Sequence, residues 1–371
     1  MENKSQGSKF YIKLLSVLLF IAYTSLLFVV RIGRAQIDDP VTKVENASVE
    51  KRKEYSGFAA NMQAGLMIKS FPAFDVQKNN FLVDGALWFE FYVYQIGLDV
   101  IDKFTLEGGK ILSKSAPNIK IEDDKLLVTY QIVLEVKGDF NHSSFPIANH
   151  RLVITMVNYD LPPSEMMFSD LDRAHSFIVA KNAFQSSDWG VHSLLTQPGI
   201  ITTSLDEYSP EKIIEYPCLA FTINVVKKSF KDLCVLFLPI FTALLFSWLS
   251  LLMNVNNHTG RFTLAITAVT AILGYRYVIE QTSPRVGYFT MLDKFYLGFL
   301  LTSFLIFIFH LLMTSIWYRI NKSLAAEVVS TGESQSDEVV VTGKTLSLMR
   351  DIFFFSIALT MYLMTGYILL Y

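Results

Sequence analysis

The sequence predicts a fold of two parts: an N-terminal antiparallel β-sandwich, extracellular or periplasmic, followed by a four-helix transmembrane domain. A signal peptide or anchor helix precedes both. Three observations predict it. The chain has 371 residues, 51% of them hydrophobic, 14% aromatic and only 18% charged, against about 25% charged in soluble domains. Four long charge-poor runs crowd the C-terminal part, and strict apolar–polar alternation is confined to the part before them. Length alone gives two or three units, which the patterns divide as residues 1–35, 36–230 and 231–371, with an inner loop at 319–350.

Residues 1–35 hold the run Leu14–Val30, 17 residues without a charge, behind Lys4, Lys9 and Lys13. The basic flank, the apolar run and the small-x-small triplet Gly33-Arg34-Ala35 fit a leader cut after Ala35. The run is slightly long and is followed by Arg31 and Arg34, which fits an uncleaved anchor. Either reading carries residue 36 across the membrane.

Residues 36–230 read as all-β. In Val128–Lys137, Val128, Tyr130, Ile132, Leu134 and Val136 alternate with a largely polar set, the period of a half-buried strand. Leu152, Ile154 and Met156 form a second alternating row, and Leu219, Phe221, Ile223 and Val225 a third. Phe81–Tyr94 is a longer aromatic strand. Its Trp88, Phe89, Phe91, Tyr92 and Tyr94 fit sandwich core better than a ligand cleft. Gly108-Gly109, Glu122-Asp123-Asp124, Gly138-Asp139, Pro162-Pro163 and Pro198-Gly199 supply the turns. This part carries 18 Lys+Arg and 25 Asp+Glu, a net charge of −7. That is ordinary solvated surface, or a mildly negative mouth that concentrates cations.

Residues 231–371 hold the spans. Leu233–Met253, Phe262–Ile279, Phe295–Tyr318 and Ile352–Tyr371 are 21, 18, 24 and 20 residues long, interrupted only by Arg276 and His310; about 20 apolar residues cross a bilayer. Alternation places Asn254–Gly260 and 319–350 inside and Glu280–Lys294 outside. Arg319, Lys322, Lys344 and Arg350 agree with the positive-inside rule. Ser330–Glu338 is the low-complexity, flexible part of the inner loop.

The second span is not a plain apolar helix. At about 100° per residue, Thr263, Thr267, Thr270, Gly274, Tyr277 and Gln281 share an arc of about 80°. Threonine and glycine in such a row suit a helix–helix seam; they equally suit a water-filled pore lined by copies of this helix. Arg276 lies off the row and pairs with Glu280 one turn on.

At these residues the chain resembles the pentameric ligand-gated ion channels, the Cys-loop receptor-like superfamily, and their prokaryotic members in particular. The most specific piece is Arg261-Phe-Thr-Leu-Ala-Ile-Thr, then Pro284, Tyr288 and Asp293. Phe237-Leu-Pro239 through Ser247-Trp248-Leu249 resembles the family's first membrane helix. Phe145-Pro146 before the Leu152–Met156 strand resembles its signature loop, and Asp188-Trp189-Gly190 a strand carrying Trp. The departures are an Ala148 where the signature loop has an aspartate, a Thr270 where the pore has an apolar gate, and no Trp-x-Pro segment of the agonist site between Trp88 and Gly108.

The resemblance implies a homopentamer in the plasma or inner membrane that conducts small ions in response to an unknown outer stimulus, a small ligand or protons. A non-conducting membrane sensor with the same fold is the alternative. Thr263, Thr267, Thr270, Gly274, Tyr277 and Gln281 would line the pore, with Tyr277, the bulkiest of them, as gate. Phe145, Pro146, Lys227, Lys228 and Pro284 would couple the two domains; the ligand-binding residues are unassigned. His142 and His150 flank the signature loop and read as surface histidines or as an outer pH sensor. Cys218 and Cys234 are not expected to pair. No catalytic motif, metal set, cofactor site or global basic field is present, so the expected partners are identical subunits, membrane lipid and small ions, without nucleic acid.

Overall fold

A computed structural model describes residues 15–24, 26–27, 37, 39–40, 44, 59–122, 124–169, 177–184, 189–204, 213–228, 230–254, 257–331 and 336–370. The triplet Gly33-Arg34-Ala35, Asp123 and Asp188 lie outside the described residues. The chain forms two compact units. The β unit is Gln36–His142 with Ala148–Ser229; the helical unit is Met1–Ala35, Ser143–Ile147 and Phe230–Tyr371.

Among the described residues the β unit has eleven strands: β1 (Ala60–Asp75), β2 (Asn80–Tyr92), β3 (Thr105–Glu107), β4 (Gly109–Lys114), β5 (Asn118–Glu122), β6 (Lys125–Lys137), β7 (His150–Val157), β8 (Met166–Phe168), β9 (Phe177–Val179), β10 (Trp189–Ser204) and β11 (Ile213–Lys227). A seven-stranded sheet runs β4-β6-β2-β1-β8, with β5 on β6 and β9 on β1; a four-stranded sheet runs β10-β11-β7-β3. The alternating rows supply the core between them. Val128, Tyr130, Ile132, Leu134 and Val136 of β6 face Leu152, Ile154, Met156, Leu219, Phe221, Ile223 and Val225 in one buried cluster.

The aromatic strand divides by parity. Phe89 and Phe91 are buried, Trp88 and Tyr92 sit half-buried on the other face, and Tyr94, past the strand end, is exposed. Gly65, opposite Trp88 in the β1–β2 register, is what admits that indole: a Cβ there would lie 2.3 Å from Trp88 Cε2. The Gly108-Gly109 turn follows from Gly108 at φ 69°, a region open to glycine.

The helical unit contains α1 (Leu15–Thr24), α3 (Phe230–Leu252), α4 (His258–Thr282), α5 (Met291–Thr331) and α6 (Ser336–Leu370); α2 (Leu98–Ile101) is a single turn in the β unit. Four of these helices, α3 to α6, are long and apolar enough to cross a membrane. α3 keeps Pro239 inside its run, as membrane helices do where neighbours resatisfy the backbone. Phe309 of α5 stacks on Phe353 of α6 with ring centroids 3.9 Å apart. The expected loop at 319–350 needs correction: α5 continues to Thr331 and α6 begins at Ser336. Leu, Ala and Glu in Lys322–Val329 are good helix formers, so the helices outlast the charge-free runs that mark only hydrocarbon.

Phe221 is wholly buried and its ring lies 5.1 Å from Phe177, so it ties the small sheet to a strand of the large one. Phe221→Ala is expected to cost about 3–5 kcal/mol, measured as a lower midpoint in denaturation of the detergent-purified protein.

A candidate pore helix and its anchors

α4 begins at Asn257, whose side-chain oxygen accepts from the Gly260 N–H at 3.1 Å. It ends where the Ser283 N–H donates to the Ile279 carbonyl at 2.8 Å. The buried Pro284 follows, which has no N–H to extend the ladder.

Burial along α4 is one-sided. Arg261, Ala265, Ala268, Ile272 and Ile279 are buried, while Thr263, Thr267, Thr270, Gly274, Tyr277 and Gln281 are all exposed. The two rows are centred about 170° apart on the helix. Exposed Ile266, Ala271 and Leu273 flank the polar row, so the open face has a polar centre and apolar margins. In its most apolar stretch α4 is only 22% buried, against 50%, 39% and 44% for α3, α5 and α6. The polar row is therefore not the seam by which α4 packs on its own chain. Tyr277 is 69% exposed. The Thr270 hydroxyl donates to the Ile266 carbonyl at 2.9 Å, which commits its proton to the helix and leaves oxygen lone pairs on the open face.

Both ends of the packed face are tied by polar groups. Near the start, the buried Arg261 guanidinium donates to His310 Nδ1 of α5 at 2.7 Å, and His310 Nε2 lies 2.8 Å from Ser250 Oγ of α3. Arginine cannot accept, so Nδ1 must, which puts the imidazole proton on Nε2 facing Ser250. The Ser250 hydroxyl then donates to the Ser247 carbonyl at 2.5 Å. Three helices are joined by one directional chain.

Near the other end, Arg276 donates to Glu280 at 2.8 Å, as expected, and also to Asp293 of α5 at 2.9 Å, while its guanidinium lies 5.5 Å from the centre of the Tyr296 ring. Asp293 has a second task. Its Oδ2 accepts from the Thr290 N–H at 3.1 Å, and Thr290 Oγ1 accepts from the Asp293 N–H at 3.2 Å, a reciprocal capping box. The next two donors of α5 go to the signature loop: Met291 N–H to the Ser143 carbonyl at 2.8 Å and Leu292 N–H to the Phe145 carbonyl at 3.2 Å.

That is where the structure puts Phe145 and Pro146: in the helical unit, joined by a cis peptide bond, with Phe145 half-buried against the helical core. Lys227 ends β11 in the β unit, its N–H donating to Asn149 Oδ1 at 3.2 Å, and the exposed Lys228 follows the strand. The polar row and Pro284 share one helix and its end in the helical unit; the two lysines belong to the β unit.

His142 and His150 are not surface residues; each is 2% exposed. Their rings lie 5.4 Å apart, His150 stacks on Phe140 at 4.5 Å, and its Nδ1 is 3.2 Å from Asp39 Oδ2. Asp39 also accepts from the Asn141 and Arg151 N–H groups at 2.7 and 2.6 Å. His142 Nε2 meets Asn79 Oδ1 at 3.2 Å. Burial, then the nearby His150, holds the His142 pKa below its usual value, with Asp39 pulling the other way. A distant cation is likewise absorbed by the fold: Lys114 pairs with Asp102 at 2.9 Å, holding that carboxyl below the usual range, and lies over the Phe104 and Tyr130 rings. Cys218 is buried and Cys234 exposed, both as thiols. Among the described residues no group of three His, Cys, Asp or Glu could hold a metal.

No protein-family model matches the chain. Over 184 residues it is 24% identical to gamma-aminobutyric acid receptor subunit gamma-3 of mouse and of rat, and 23% identical to that of human. The match takes in 47% of this chain and spans about a third, 35%, of the curated relatives' length. The resemblance to pentameric ligand-gated channels thus has two supports, this similarity and a two-sheet β unit followed by four membrane-length helices. Four membrane-length helices and the similarity to receptor subunits together support a multi-pass membrane protein of channel type.

Sequence reasoning missed His310, Ser250 and the dual role of Asp293. A titratable group inside an otherwise uncharged span was a usable signal for the first, and Thr290-x-x-Asp293 before an apolar run for the last. Two expectations follow. His310→Leu deprives Arg261 of an acceptor and should cost about 1–3 kcal/mol, whereas His310→Gln, which can both accept from Arg261 and donate to Ser250, should keep most of the thermal midpoint. A depressed His142 pKa means that the unfolded chain takes up protons first. Its stabilising contribution is therefore complete above about pH 6.5 and is lost as pH falls from there towards the lower folded value. Denaturation midpoints should drop on acidification through that window, and His142→Gln should flatten the drop.

Proposed function

We propose that the chain is the subunit of a homopentameric ion channel whose pore is a ring of α4 helices, with Thr263, Thr267, Thr270, Gly274, Tyr277 and Gln281 facing the axis. The observation that carries this reading is the exposed polar row set opposite the packed row of the same helix. Hydroxyls gain nothing from lipid, and one helix cannot enclose water. Identical copies meeting head to tail close into a ring, and apolar margins such as Ile266 and Leu273 suit the contacts between neighbours.

The β unit lies outside the cytoplasmic membrane, and an outer ligand or protons open the channel. Coupling runs through Phe145 and Pro146, whose loop caps α5, through Pro284 at the end of α4, and through Lys227 and Lys228 just before α3. Cations are the favoured ions. No acid lies in Leu249–Phe262, but no hydroxyl proton is offered at Thr270 either, because that donor is spent on Ile266. Lone pairs face the axis there, and the segment 36–230 carries a net −7. Gly274 has no side chain to obstruct, so Tyr277 is the constriction that can close the upper half of the row.

Native mass measurement in mild detergent should give five copies; a monomer or dimer overturns the ring. Purified protein in liposomes should pass potassium when challenged with pH steps or with gamma-aminobutyric acid, the compound for which the relatives are named. Reversal potentials that track chloride overturn the selectivity. Tyr277→Ala should raise the resting current, and Thr270→Leu should make opening harder by adding an apolar ring. If both variants assemble and conduct as the parent does, the barrier is not in this row.

A further inference from the structure

The helical unit contains a helix beyond the four of the resembled architecture. On α1, Val17, Phe20 and Thr24 are buried, while Leu15, Leu18 and Leu19 are 56%, 54% and 55% exposed. The spacing of the buried three marks one helical face. That face is seated between α3 and α6. The Phe20 ring lies 5.0 Å from Trp248 and 5.2 Å, edge-on, from Tyr362, and Tyr23 lies 5.2 Å from the same tyrosine. The Tyr362 hydroxyl donates to the Ser16 carbonyl at 3.3 Å. Gly366, one turn further along α6, makes room for Tyr23: a Cβ there would lie 2.7 Å from the Tyr23 hydroxyl oxygen.

These contacts also set a direction. Ser16 meets Tyr362 and Tyr23 meets Gly366, so α1 runs parallel to α6. In the alternation of spans α6 runs from inside to outside, which puts the start of α1 inside. Lys4, Lys9 and Lys13 precede it there, as the positive-inside rule asks. The parallel packing of α1 on α6 is what spans of the same direction require, and it comes from contacts rather than from charge. In lipid, helices associate through close packing, small residues and hydrogen bonds rather than through apolarity. A leader that only had to be threaded and cut would need none of the three; this segment has the aromatic contacts, the glycine notch and the tyrosine hydrogen bond.

We propose that the N-terminal segment is retained and not shed after Ala35, with α1 held as a fifth membrane helix by its Val17–Phe20–Thr24 face in the groove between α3 and α6. The charge-free run Leu14–Val30, 17 residues, is within the length that can span. This is independent of whether the channel conducts.

The test is the intact mass of the full chain, expressed with a C-terminal tag and purified from membranes. Retention of residues 1–35, less at most the initiator Met, is expected; a chain that begins at Gln36 overturns the proposal. The seat is tested separately in the retained chain. Gly366→Leu should displace Tyr23 and lower the thermal midpoint by about 2–4 °C, and Tyr23→Ala added to it should restore part of the loss. A midpoint unmoved by Gly366→Leu means that α1 does not occupy this groove, and the proposal falls.

Discussion

A hydroxyl that faces hydrocarbon gains nothing, and α4 presents three of them on a face that its own chain leaves open. The rest of the helical unit is arranged around that constraint. Arg261, Ala265, Ala268, Ile272 and Ile279 turn one side of α4 inward, and small alanines on that side let neighbouring helices approach. What they leave outward is polar at its centre and apolar at its margins. Such a face is stable in a membrane only against water or against another protein surface. Enclosing water with a face about half a helix wide requires further copies, so in the proposed ring the oligomer would be part of the solvation of α4 rather than an addition to a finished fold.

Keeping that face aimed outward requires α4 not to rotate, and the polar groups at its two ends are placed to prevent rotation. Arg261 is tied through His310 to Ser250, and Arg276 to Asp293. Both ties pass to α5, one near each end of α4, and the first runs on to α3. The chain Arg261 to His310 to Ser250 to the Ser247 carbonyl has one donor order throughout, fixed by the inability of arginine to accept. Asp293 serves the start of α5 and the side of α4 at once, so the cap of one helix and the rotational setting of its neighbour share a single carboxylate. The two donors that follow the cap are taken by the carbonyls of Ser143 and Phe145. The first turn of α5 therefore has its orphan N–H groups satisfied by a loop that leaves the β unit at His142 and returns to it at Ala148.

Much of this was legible in the sequence, because period and charge are local. The alternating rows of β6, β7 and β11 point inward as the pattern requires, and four charge-poor runs become four membrane-length helices. The six-residue row of α4 was readable as a row. Its exposure was not, since whether a threonine seam meets a neighbour depends on the opposite face finding one first. His310 stands 49 residues from Arg261 and 60 from Ser250, and nothing local links them. The helical extensions to Thr331 and from Ser336 were hidden for another reason: charge marks where hydrocarbon ends, not where a helix does. The two histidines of the β unit were misplaced at the surface because their partners are remote in sequence: Asp39, 111 positions from His150, and Asn79, 63 positions from His142.

Thr270 is where local chemistry and proposed function meet most closely. By composition it is a polar interruption where an apolar ring would repel water, and on that count the barrier has to lie elsewhere in the row. Its geometry refines the count. With the hydroxyl proton given to the Ile266 carbonyl, the side chain offers an oxygen that can accept but not donate, beside a methyl group. Five such groups around an axis would attract cations weakly and give anions no donor. They would hold water less firmly than five free hydroxyls, yet better than five leucines. A level of that kind selects without closing. The bulky Tyr277, two turns further on beyond the bare Gly274, is then the group on the row with both the size and the exposure to close it.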